Sequence, residues 1–167
     1  MITTYSLTLK DTKTYLFSSL FILGNILLPQ ICHLIPQGGL IFLPIYFFTL
    51  IGAYRYGLIV GLFTAIFSPL VNHLLFGMPP VGALPAILLK SALLAVTASF
   101  FAKRLDSRMF LGVLLAVLSY QLLGGLYEYS VSGLQSATQD FRLGWIGIII
   151  QIVFGYRLLA FLRDNNV

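Results

Sequence analysis

Charge is the first thing this sequence lacks. Only 9% of its 167 residues are Asp, Glu, Lys or Arg, while 59% are hydrophobic and the mean hydropathy is +0.96. Soluble domains carry about a quarter charged residues. A chain this apolar cannot cover its own surface in water, so a bilayer is its expected solvent. Cysteine is nearly absent as well. The lone Cys32 excludes an internal disulfide framework and any metal site built from several cysteines. Neither the phosphate-loop pattern Gly-x-x-x-x-Gly-Lys-Ser/Thr nor His-Glu-x-x-His occurs. Ser132-Gly133 lacks the flanking glycine and the positioned base of an intramembrane serine protease. Cys32 and His33 are adjacent, but His73 is the only other soft ligand, so no metal is expected. No signal peptide is expected either: residues 1–12 are polar, and no small-residue cleavage site follows the first apolar run. These absences argue against an enzyme and imply no cofactor.

What is present is a series of apolar runs at about 14–32, 40–54, 57–76, 83–102, 109–127 and 143–162. About 20 residues cross the hydrocarbon of a bilayer, so most of these runs are long enough. The stretch 40–76 would be far too long as one helix, roughly 55 Å. Tyr54-Arg55-Tyr56-Gly57 in its middle combines a charge, two interface-seeking aromatics and a turn residue, and reads as a tight hairpin between a short span and a longer one. The expectation is an all-α, polytopic membrane protein: one integral domain over residues 1–167 with six transmembrane helices.

Positive charge orients that bundle. With the N-terminus inside, the cytoplasmic segments hold Lys10, Lys13, Arg55, Lys103, Arg104, Arg108 and Arg163, and Arg157 snorkels to the same side. The external connections 33–39, 77–82 and 128–142 hold Arg142 alone. Eight positives against one predict both ends in the cytoplasm. A net charge of +5 placed in this way points to a membrane and not to nucleic acid.

The polar residues inside the spans then fall near the outer face. Lys90 lies seven residues into the fourth span, where a lysine costs about 2.5–3.5 kcal/mol unless it faces protein or water. Asn72 and His73 close the third span, Gln121 and Glu128 lie toward the end of the fifth, and Gln151 lies two turns into the sixth. Gln30, His33 and Gln37 surround the outer end of the first. This one-sided pattern predicts a pocket open to the outside and sealed below. Plainer readings stand beside it. Lys90 and Glu128 form a structural pair, Asn72 and Gln121 make interhelical hydrogen bonds, and the two histidines cap helices. Tyr127 and Trp145 belong either to an outer aromatic belt or to the mouth of the pocket. Gln37-Gly38-Gly39 and Gly77-Met78-Pro79-Pro80-Val81-Gly82 are either tight turns or lids over the pocket.

From Leu28 to Arg104 the chain resembles the substrate-binding S components of energy-coupling factor (ECF) vitamin transporters. The resemblance is carried by Pro29, Leu43-Pro44, Ile51-Gly52-Ala53-Tyr54-Arg55-Tyr56-Gly57, Gly61, Ser68-Pro69, Phe76-Gly77-Met78-Pro79 and Lys103-Arg104. It implies a six-helix, N-in/C-in bundle in a bacterial cytoplasmic membrane that captures a micronutrient from outside. It also implies partners: a membrane coupling subunit and two cytoplasmic ATPases. An Ala-x-x-x-Ala pattern contacts the coupling subunit in the family, and the matching spacing here is Thr14 to Ser18. Family substrate sites use the outer parts of the last three spans and the first external loop, where Lys90, Gln121, Glu128 and Gln37 lie. Lys90 would suit an anionic group of the substrate, and the aromatics a ring. The other reading is a structural scaffold of the cell-shape MreD type, similar in size and span count, which has no need of a polar outer pocket.

Overall fold

A computed structural model describes residues 6–165; the two chain ends, on which the N-in/C-in expectation also bears, lie outside the described residues. Nine α-helices account for most of the described chain, and no strand occurs within it: α1 (Thr12–Cys32), α2 (Gly38–Phe42), α3 (Phe47–Tyr56), α4 (Leu58–Phe76), α5 (Leu84–Arg104), α6 (Met109–Ser132), α7 (Leu134–Ala137), α8 (Gln139–Arg142) and α9 (Trp145–Asp164). Short 3₁₀ turns, Pro44–Tyr46 and Asp106–Arg108, lead into α3 and α6. Five helices, α1, α4, α5, α6 and α9, are long and apolar enough to cross a membrane. The chain is a multi-pass membrane protein. Large apolar side chains stay exposed along these helices, among them Leu16, Leu20, Leu27, Leu74, Leu126 and Phe154. Lipid satisfies such a surface and water does not.

The expected second span departs from its prediction. It is not one helix over 40–54 but α2, a 3₁₀ turn and the ten-residue α3. Pro44 disfavours helical geometry at the residue before it, and Leu43 takes a left-handed conformation (φ 47°) that ends α2. Gly38 opens α2 against the carbonyl of Cys32, where a side chain would collide with backbone. At the far end the Tyr54–Gly57 hairpin is present: α3 stops at Tyr56, Gly57 turns the chain (φ 99°), and α4 starts at Leu58.

Side-chain contacts give the helix directions. Tyr15 meets Phe63 and Gln30 meets Asn72, so α1 and α4 run parallel. Phe17 stacks on Tyr56 and Asn25 bonds Thr49, so α3 runs opposite to α1 and carries the chain back. Every residue of α3 from Thr49 to Tyr56 is buried. A hydrogen-bonded helix can occupy the centre of a bundle because its backbone groups satisfy one another.

The two ends of the bundle differ. One end gathers Tyr56, whose carbonyl accepts from Leu7 N–H, with Met109, whose carbonyl accepts from Tyr54 Oη at 3.3 Å, and Leu162 beside Arg55. Lys10, Lys13, Lys103, Arg104, Arg108 and Arg163 belong to the segments that begin or end there: the start of α1, the turn from α5 to α6 and the end of α9. A local knot starts α1 at this end. Asp11 accepts from the Thr8 N–H and hydroxyl at 2.7 and 2.8 Å, which holds its carboxyl below the usual range. The opposite end contains α2, α7, α8 and nearly all the buried polar side chains singled out from the sequence.

Candidate functional site

At that second end, Lys90 lies two turns into α5 and is only 2% exposed. Its Nζ donates to Glu128 Oε2 at 2.6 Å and to Asp140 Oδ2 at 2.9 Å. The sequence offers Glu128 as a structural partner for Lys90, and the structure forms that pair. Sequence reading does not find Asp140, 50 residues along the chain and carried by the four-residue helix α8. The only signal for it was an acidic residue in a connection between two spans. Room for the lysine stem comes from Gly124 on α6: a side chain there would run into the Lys90 methylenes. The ammonium is thus held from two sides, by α6 and by α8.

This triad lines a cavity of about 340 Å³. The cavity is walled by Leu40 and Tyr46 from the broken segment, Ile87 from α5, and Tyr127, Ser132 and Gln139. Pockets of about 300–1,000 Å³ suit small ligands. A second cavity of about 470 Å³ adjoins it through Leu40, Ile45, Ala83 and Gln139, and is bounded by Gln30, His33, Gln37 and Asn72. The two glycine-rich connections contribute to these walls, Gly39 to both, Gly82 to the first, and Met78 and Pro79 to the second. His73 donates from Nδ1 to the Pro79 carbonyl at 2.8 Å and fixes that connection.

Beneath the first cavity lies a buried hydrogen-bonded floor. Tyr46 packs on Tyr120, with ring centroids 5.2 Å apart. Tyr120 Oη donates to Gln151 Oε1 at 2.8 Å and accepts from Gln121 Nε2 at 2.9 Å. Gln151 in turn donates to the Leu43 carbonyl at 3.4 Å, tying α9 to the residue that ends α2. Gln121 Oε1 has no hydrogen-bond partner among the described residues. Gln121 and Gln151 therefore support the floor behind Tyr46, and neither lines the cavity. Tyr120, absent from the sequence-based candidates, is the hub between them.

Asn72 is placed by a proline. Pro29 in α1 has no N–H to give to the Asn25 carbonyl one turn earlier. Asn72 Nδ2 donates to that carbonyl at 2.8 Å, while Asn72 Oδ1 accepts from Gln30. Asn25 is itself fully buried and reaches Thr49, Ser68 and the backbone N–H of Phe48. Asn72 thus joins α1 to α4 and also borders the second cavity.

Gln37 is exposed, with a left-handed backbone (φ 58°), at the start of α2. Tyr127 lines the first cavity, whereas Trp145 is 54% exposed and lines neither. Thr14 and Ser18, expected on a surface for a partner subunit, are both buried within the chain; Thr14 donates to the Thr8 carbonyl at 2.6 Å. The outward face of α1 carries Leu16, Leu20, Leu23 and Leu27. Among the described residues no three His, Cys, Asp or Glu side chains are grouped to hold a metal ion. The chain matches no protein-family model, no curated protein and no solved structure.

Proposed function

We propose that this chain is the substrate-binding membrane subunit of an ECF-type importer for a vitamin or related micronutrient. The observation that carries the reading is the cavity at one end of the bundle, with an ion triad in its wall and a hydrogen-bonded floor beneath it. Charges in a membrane protein face the bundle interior or a water-filled cavity and mark sites of function. A scaffold has no use for a lysine and two carboxylates around such a space. The motif resemblance between Leu28 and Arg104 supplies the family, the coupling subunit and the two ATPases as partners.

In this reading the segment from α2 to α3 makes a sixth crossing, because it leads the chain back between the parallel helices α1 and α4. The basic end is cytoplasmic and the cavity opens to the outside of a bacterial inner membrane. Thiol labelling of whole cells tests the orientation. With Cys32 replaced by serine, an impermeant maleimide should label Ser136→Cys and spare Ser107→Cys. The reverse pattern overturns the outward-facing pocket. The partner requirement is tested on the tagged chain captured from its own membranes: ATP hydrolysis should depend on co-captured subunits. Hydrolysis by the chain alone would refute the proposal.

A further inference from the structure

We infer that the cavity beside Lys90, read as above as a substrate pocket, selects a ligand with a cationic nitrogen on an apolar or aromatic body. Lys90 taken alone suggests an anion, and the geometry reverses that expectation. Its ammonium is already bonded to Glu128 at 2.6 Å and to Asp140 at 2.9 Å. One positive and two negative groups leave the wall with a net charge of −1. An anionic ligand would reach the ammonium past two carboxylates and would bring the local charge to −2.

Accessibility points the same way. Lys90 is 2% exposed, while the side chains of Glu128 and Asp140 are 14% and 13% exposed. An incoming molecule meets carboxylates first, with the ammonium behind them. Each carboxylate spends one oxygen on Lys90, which leaves Glu128 Oε1 and Asp140 Oδ1 as acceptors. Among the described residues no other lysine or arginine lines this cavity; Arg142, two residues beyond Asp140, is exposed and lies outside the wall. A cationic N–H donor would neutralise the excess charge and form charge-assisted bonds, which are the stronger kind. The rest of the wall supplies apolar and aromatic surface: Leu40, Tyr46, Ile87, Tyr127 and Val131.

The test uses the full chain, purified in nanodiscs, and three probes sharing one ring system: tryptamine (cationic), tryptophol (neutral) and indole-3-acetate (anionic). Dissociation constants come from titration calorimetry. Tryptamine should bind at least about tenfold more tightly than either of the others, the effect of one hydrogen bond to a charged group. Glu128→Gln and Asp140→Asn, both isosteric, should each reduce that preference to within about threefold. Indole-3-acetate binding as tightly as tryptamine, or a preference unchanged in both variants, overturns the charge selection and leaves the pocket standing. Failure of all three to bind below about 10 mM overturns the binding reading together with this inference.

Discussion

Replacing Lys90 by methionine removes the one positive charge from a pair of half-hidden carboxylates. At an effective dielectric of about 20, a unit-charge pair at 2.6 or 2.9 Å attracts by roughly 6 kcal/mol before desolvation offsets most of it. Breaking a buried pair by deleting one partner costs about 3–5 kcal/mol, because the charge left behind is uncompensated. Here two charges are left and each keeps some access to the cavity, so the expected loss is at the lower end, about 3 kcal/mol. The assay is equilibrium unfolding in mixed micelles of mild detergent and dodecyl sulfate, followed by circular dichroism and by the single tryptophan, Trp145. The companion variant Lys90→Met/Glu128→Gln/Asp140→Asn carries no charge at the site and should recover at least half of the loss. A Lys90→Met protein within about 1 kcal/mol of the parent would mean that the triad behaves as a solvated surface bridge. A triple variant less stable than the single one would show that charge imbalance is not the cause.

Other expectations rest on close packing and on single hydrogen bonds. A side chain at Gly147 would sit 2.5 Å from the Phe42 backbone carbon and oxygen, so Gly147→Ala should push α9 away from α2 and cost about 1–3 kcal/mol in the same assay. Gly124→Ala meets flexible lysine methylenes instead; it should cost less stability but displace the Lys90 ammonium and weaken tryptamine binding. Asn72→Leu leaves the Asn25 carbonyl, already deprived of a partner by Pro29, without its donor, and should destabilise the bundle by about 1–3 kcal/mol. Parent-like stability in Asn72→Leu would remove Asn72 from the account of how α1 and α4 are joined.

The resemblance assigned Thr14 and Ser18 to a partner surface, and the fold buries both. Their spacing places them on one face of α1, but spacing does not say whether that face meets lipid, another subunit or the chain itself. A coupling subunit that docks on α1 would meet the leucine-rich face beside them.

The sequence by itself determined the membrane solvent, the all-helical class, five of the six expected spans and the Tyr54–Gly57 hairpin. These properties are sums over local windows: apolarity accumulates residue by residue, a glycine or proline acts where it stands, and lipid rewards both without any particular partner. Lys90 and Glu128 were also legible, because a buried lysine demands a counter-charge and few acids exist to provide one. Only the tertiary structure decided that Asp140 completes the triad and that Tyr120 links Gln121 to Gln151. It also decided that Asn72 serves the carbonyl freed by Pro29 and that the second apolar run breaks at Leu43-Pro44. Each of these depends on how a helix is rotated and which residue, tens of positions away, arrives opposite it. A hydrogen bond or ion pair forms within about 3 Å or not at all, and hydropathy along the chain carries no information at that scale.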